Sequence, residues 1–308
     1  MKNAIIILTI LLGVKSTGNA QDNFKIPEKA KKILFLGNSI TYAGSYVSYI
    51  EAYLTLRYPE KNYEIINVGL PSETVSGLSE PNHAGGKFSR PDLHERLQRV
   101  LDQTKPDLIF ANYGMNDGIY LPFDDVRFQK YRDGIIWLNE QVTNAGVPIV
   151  YLTPPIFDER KGAAYANVLD IYSDWLISCR YTHDWEVADM HWPMRKYLED
   201  QRLIDSTFVL ANDGVHPNEL GHWIMAKQVL LFLGEKDLIS VEDAKSAMSA
   251  FTNGEAVLKL VEERQAMMKD TWLTKTGHER PGMKTGLPIK EAKKKAAEIE
   301  GQIRLLLK

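Results

Sequence analysis

The chain has 308 residues, 44% of them hydrophobic and 25% charged, an ordinary globular balance with enough apolar material for a sizeable core. With 37 Lys and Arg against 40 Asp and Glu the net charge is -3, which offers no electrostatic footprint for nucleic acid. Cys179 is the only cysteine, so an intrachain disulfide is excluded and stability must come from packing.

The N-terminus reads as a secretory signal. Lys2 supplies the positive charge, residues 4–14 an apolar run, and Gly18-Asn19-Ala20 the small residues of a cleavage site that would leave Gln21 first. The run is shorter than the roughly 20 apolar residues of a bilayer span. Residues 1–20 are therefore expected to be a cleaved signal peptide, the mature protein being secreted or periplasmic with no stable membrane insertion.

From residue 31 onward, short apolar runs alternate with helical patterns. Lys32-Ile33-Leu34-Phe35-Leu36, ended by Gly37, reads as a buried strand, and residues 46–58 as a helix stopped by Pro59. A second strand spans 63–68, a helix 90–103, a third strand 107–112, and a long helix 125–144 closed by Gly146. Residues 148–152 form a fourth strand, 163 to about 179 a helix, 185–188 a short fifth strand, and 219–233 a helix. Strands separated by helices imply βαβ units and a parallel sheet, with ligands bound beyond the strands' carboxyl ends. Residues 21–240 thus read as one catalytic domain. Residues 241–308 carry no strand pattern and read as a helical extension, with helices over 241–269 and 289–307. The second is Lys-rich and reads as a docked helix with a solvated charged face.

Four short motifs carry the chemistry. Gly37-Asn38-Ser39 follows the first strand, where a glycine turn presents the serine as a plausible nucleophile. Gly69 follows the second strand, and its N–H can face an oxyanion. In Gly114-Met115-Asn116-Asp117, past the third strand, the Asn116 amide can donate to a developing negative oxygen. In Asp213-Gly214-Val215-His216 the carboxylate and imidazole stand three apart, close enough to hydrogen-bond within one loop. Each alone also reads as an ordinary turn or helix cap.

Together, in this order and on this framework, the motifs resemble blocks I, II, III and V of the SGNH/GDSL hydrolase family, over residues 31–235. The resemblance implies a flavodoxin-like three-layer α/β/α fold around a five-stranded parallel sheet. It also implies Ser39 as nucleophile, His216 as base and Asp213 as its orienter, with an oxyanion hole from the Ser39 N–H, the Gly69 N–H and the Asn116 side chain. Asn38 departs from the aspartate of the family's name motif. No metal motif competes, and the reaction implied uses no cofactor.

Several other residues read as structural. They are His83 in a loop, the pairs His183-Asp184 and Asp189/His191 without a third ligand at familiar spacing, Trp192, Trp223, and Cys179 as a packing thiol. The function implied is a secreted esterase removing small acyl groups, acetyl foremost, from a polysaccharide or small-molecule ester. Alternatives are a lysophospholipase or thioesterase of the same family, and a non-catalytic glycan-binding module.

Overall fold

Five of the chain's apolar runs are buried almost end to end, which is what a parallel sheet covered on both faces demands of its strands. In the computed structural model, which describes residues 24–308, they are β1 (Lys32–Gly37), β2 (Glu64–Asn67), β3 (Leu108–Asn112), β4 (Ile149–Leu152) and β5 (Glu186–Ala188). The signal segment expected at 1–20 lies outside the described residues. All pairings are parallel and the strand order is β2-β1-β3-β4-β5. Leu34 stands beside Ile66 on one side and Ile109 on the other. This is the flavodoxin-like order.

Among the described residues ten α-helices surround the sheet: α1 (Ser39–Ala43), α2 (Ser45–Arg57), α3 (Leu93–Thr104), α4 (Asp125–Asn144), α5 (Glu159–Thr182), α6 (His191–Ile204), α7 (Glu219–Phe232), α8 (Ala244–Ser249), α9 (Gly254–Thr276) and α10 (Ile289–Leu306). Right-handed crossovers place the outward β1–β2 connection and the returning ones on opposite faces. On the first face Tyr49 of α2 meets Trp223 of α7 edge-on, ring centres 6.3 Å apart. On the other, Tyr131 of α4 stacks on Tyr172 of α5 at 4.3 Å. Asp92, Asp124, Asp158, Asn218 and Asp243 cap the helices that follow them.

The chain runs from β1 outward to β2, then returns past β1 to β3. The crevice of such a sheet opens where that direction reverses, above the carboxyl ends of β1 and β3. Ser39 follows β1 and Asn116 follows β3, so topology alone carries both toward one place.

Three elements differ from the sequence reading. Helix α6 had no anticipated counterpart, because only His191, Met194 and Leu198 are buried along it while Leu203 and Ile204 stay exposed. Helix α5 begins at Glu159 rather than 163, capped by Asp158 and continuing across an extended Gly162. The single helix expected over 241–269 is two, α8 and α9, parted at Asn253, whose backbone is left-handed at φ 58°. Helix α9 packs on α2 and β2, and α10 on α9. Arg264 meets Glu51 of α2 at 3.0 Å, and Gln265 Nε2 donates to Glu51 at 2.6 Å and to the Ile65 carbonyl at 2.9 Å. No helix among the described residues is long and apolar enough to cross a membrane.

Candidate active site

β1 turns directly into α1 because only hydrogen fits at Gly37. A Cβ there would stand 2.3 Å from Thr41 Oγ1 and 2.8 Å from the Asn112 carbonyl. Asn38 Oδ1 then accepts from the Ile40 N–H at 3.1 Å, making Ser39 the first residue of α1. The Asn38 Nδ2 is buried with no partner.

Ser39 Oγ lies 2.9 Å from His216 Nε2, across 177 residues of chain. His216 Nδ1 lies 2.6 Å from Asp213 Oδ2. The other carboxylate oxygen, Oδ1, accepts the N–H of Val215 at 2.9 Å and of His216 at 2.8 Å, a turn closed by Gly214 at φ 86°. These contacts assign the tautomer: Nδ1–H donates to the carboxylate, leaving the Nε2 lone pair to accept from the Ser39 hydroxyl. Burial pushes the Asp213 carboxyl up, but the His216 imidazole and the two backbone N–H groups outweigh it and hold the group down at about 2. The His216 and Asp213 side chains are 50% and 54% exposed, so the site is open to solvent.

Asn116 stands on the other side of the crevice. Its Nδ2 donates to the Glu73 carbonyl at 3.1 Å and its Oδ1 accepts from Tyr120 at 3.1 Å, leaving one N–H of the amide unengaged. The Gly69 N–H donates to Asn67 Oδ1 at 2.9 Å. The lack of a side chain at Gly69 serves packing, since a Cβ would stand 2.3 Å from the Tyr42 nitrogen. The neighbouring turn, closed by Glu73 N–H to Leu70 O at 3.1 Å, has Pro71 second and Ser72 third with φ 69°. That is a type II turn, whose third position favours glycine. A serine held there carries about 1–3 kcal/mol of strain. Among the described residues the Ser72 N–H meets no acceptor.

Beneath this turn lies a buried ionic network that the sequence reading missed. Arg96 of α3 grips Glu73 through Nε at 2.6 Å and Nη2 at 2.7 Å, and Nη2 also donates to the Val68 carbonyl at 2.9 Å. Tyr113 donates to the same carboxylate at 2.6 Å. Glu73 and Arg96 are 0% exposed. Burial works against the Arg96 cation, but Glu73 outweighs it and pushes the guanidinium's pKa up. Asp117, also buried, accepts the N–H groups of Val75, Ser76 and Gly114 at 2.8, 2.9 and 2.8 Å, tying the β2 loop to the β3 loop. The available signals were Pro71-Ser72, a turn pair, and an arginine on the buried stripe of α3.

None of the other candidates bonds to Ser39, Asn116, Asp213 or His216 among the described residues. His83 pairs with Glu80 at 3.0 Å in the 77–90 loop. His183 contacts Thr182 at 2.8 Å, while buried His191 contacts Asp170 at 2.8 Å and the Pro154 carbonyl at 3.1 Å. Trp223 is in the core and Trp192 is 38% exposed. Cys179 is buried, and burial pushes its thiol up to about 11, far from a reactive thiolate. A cavity of about 360 Å³ between β2, α2 and the α9–α10 pair, lined by Glu51, Tyr63, Gln265 and Trp272, contains none of the motif residues.

Comparison with known proteins adds the following. The profile of the GDSL-like lipase/acylhydrolase family matches residues 35–224. The chain is 24% identical over 225 residues to an acetylxylan esterase of Geobacillus stearothermophilus, covering 66% of this chain and 94% of that protein. A crystal structure of an acetylxylan esterase from the same organism superposes with a TM-score of 0.54 at 24% identity, over 68% of this chain and 97% of that one. A gut microbial diltiazem-metabolizing enzyme superposes with a TM-score of 0.56 at 21% identity, over 69% of this chain. The match spans about half that enzyme's length, 48%.

Proposed function

The chain belongs to the GDSL-like lipase/acylhydrolase family and is an SGNH-type serine ester hydrolase, and from this premise we propose that it removes acetyl groups from carbohydrate. The observation that carries the reading is the relay of 2.9 Å from Ser39 Oγ to His216 Nε2 and 2.6 Å from Nδ1 to Asp213. A serine hydroxyl is a weak nucleophile until an adjacent base takes its proton. In this reading Ser39 Oγ attacks the ester carbonyl as its proton passes to His216 Nε2, and Asp213 stabilises the imidazolium. His216 returns that proton to the departing sugar oxygen, leaving an acetyl group on Ser39. Water, deprotonated by the same imidazole, then releases acetate and restores the hydroxyl.

The oxyanion is received by the Ser39 N–H, the unengaged N–H of Asn116 and the Ser72 N–H. Ser72 replaces Gly69, whose N–H is taken by Asn67. The strain at Ser72 has a use here, since the left-handed turn keeps its N–H unpaired. Support for a carbohydrate substrate comes from the half-exposed base pair, which a bulky glycan can approach. The acetylxylan esterases it resembles support it further. We also propose export through residues 1–20, which N-terminal sequencing of extracellular or periplasmic protein would locate at Gln21.

The test is acetate release from acetylated xylan and acetylated oligosaccharides. Wild type releases acetate and reacts with a fluorophosphonate probe; Ser39→Ala does neither. Failure to deacetylate any sugar, together with a preference for octanoyl or longer p-nitrophenyl esters, would establish a lipid esterase instead. A folded wild type that resists the probe would point to a binding module.

A further inference from the structure

Residues 241–308 lie beyond the stretch matched to the family, yet α9 reaches the helix that carries Ser39. The Tyr42 hydroxyl, three residues past Ser39 on α1, donates to Asp270 at 2.9 Å. Lys269 Nζ donates to the Tyr42 carbonyl at 2.9 Å and lies 4.2 Å from its ring centre. Lys284 meets Asp270 at 3.2 Å. Burial and the bond to Asp270 push the Tyr42 phenol up to about 12, so it remains a donor at working pH.

The segment leaving α9 places Arg280 against the other flank of the site. Its guanidinium lies 5.2 Å from the ring centre of Phe88. Phe88 sits near the end of the 77–90 loop, and that loop's Arg90 lies 5.2 Å over the ring of Tyr120, the residue bonded to Asn116. Arg280 thus lies between Tyr42 of the Ser39 helix and Phe88 of the loop whose Arg90 covers Tyr120.

Arg90, Arg96, Arg195, Arg202 and Arg264 each meet a carboxylate. Arg132, Arg160 and Arg180 bond only to amide or backbone oxygens. Arg280 is in no ion pair among the described residues. Its Nη1 donates to the adjacent Pro281 carbonyl at 3.0 Å and lies 3.1 Å from Met283 Sδ, and its Nε is buried without a partner. Around Tyr42, Lys269, Lys284 and Arg280 set three cations against one carboxylate, Asp270. Partial burial works against the Arg280 charge, a cost that an anionic ligand would offset. With Nε buried and one Nη1 N–H given to Pro281, the Nη2 group and the second Nη1 N–H form the end of the fork that suits a carboxylate taken by paired N–H bonds.

We propose that Arg280 is a specificity residue that binds a carboxylate on the substrate, so that the preferred ester lies on a sugar chain bearing a uronic acid. The inference rests on the carbohydrate reading above. It gives the extension a role that an esterase lacking it would have to fill by other means.

The test uses two acetylated oligosaccharides that differ only in one uronic acid, free in one and methyl-esterified in the other. Wild type should show kcat/KM higher for the free acid by about tenfold or more, the scale of a hydrogen bond to a charged group. That ratio should shrink with added salt. Arg280→Gln should bring it to about 1, and Arg280→Lys, which keeps the charge but not the fork, should leave it between the two. Thermal unfolding of each variant checks that the loop change has not unfolded the protein. Equal rates on both sugars in wild type, or an unchanged ratio in Arg280→Gln, would overturn the proposal alone. Acetate release from neither sugar would overturn this proposal while activity on acetylated xylan persists, and the carbohydrate reading falls with it only where acetylated xylan is not deacetylated either.

Discussion

The two flanks of the Ser39 hydroxyl are built in opposite ways. The donor flank, the turn after β2 and the loop after β3, rests on Glu73, Arg96, Tyr113 and Asp117, all buried and joined by short hydrogen bonds. The base flank is one loop in which Asp213 and His216 are half exposed and held by bonds within four residues. Preorganised donors act by not moving, so they sit on the stiffest material available. In the proposed mechanism the imidazole exchanges a proton in each half-reaction, and an open local loop suffices to orient it. Changes on the base flank should therefore cost activity with little stability, and changes beneath the donor flank the reverse.

The sharpest probe of that contrast is Asp213→Asn. It should lower kcat roughly 10³–10⁴-fold, because the carboxylate no longer fixes the tautomer or stabilises the imidazolium. The melting temperature should fall by only a few degrees, since the group is half exposed and an asparagine oxygen can still accept the Val215 and His216 N–H groups. A large drop in melting temperature would break the comparison. Next in size is Arg96→Met, which leaves the Glu73 carboxylate buried without its partner. Urea unfolding should show a loss of about 3–5 kcal/mol, and a loss under about 1 kcal/mol would show that the network supports little.

A third probe lies under the base flank. His222 of α7 is buried against Tyr46, ring centres 6.1 Å apart, with Nδ1 unpartnered. Burial, aided by the nearby His216, pushes its pKa down to about 4 from an ordinary 6.5. The unfolded chain takes up this proton below pH 6.5 while the folded chain resists until about pH 4. Stability is therefore intact above that window and falls as pH drops through it, by up to about 3 kcal/mol in all. His222→Gln should flatten this part of the stability profile measured by urea unfolding, while an unchanged slope would assign it to other groups. The smallest effect concerns the clamp on the Ser39 helix. Tyr42→Phe removes one hydrogen bond to Asp270 and should cost about 1 kcal/mol of stability. It should also slow fluorophosphonate labelling, and labelling at the wild-type rate would show that α1 holds its place unaided.

The motifs were legible because Ser39 and Asn116 sit just past strand ends and Asp213 and His216 share one short loop. There a tight turn requires particular residues, as with Gly37 before Ser39 and Gly214 between Asp213 and His216. Gly69 shows the limit of that reasoning. Its lack of a side chain reflects the closeness of Tyr42, 27 residues earlier in the chain, and its N–H was claimed by Asn67. Ser72 escaped notice because a serine in a turn carries no mark of a left-handed backbone. Arg96 looked like any polar residue on a helix, since its partner Glu73 is 23 positions away.

By itself the sequence determined the order of the strands and of most helices, the parallel sheet and the residues able to do acyl transfer. Those follow from local periodicity and turn chemistry, which act over a few residues. Tertiary structure alone decided which N–H groups stay unpaired, which charges are buried together, and that α9 and Arg280 stand beside the Ser39 helix. Each of these depends on contacts between segments tens to hundreds of residues apart, and no local pattern records which distant group will arrive.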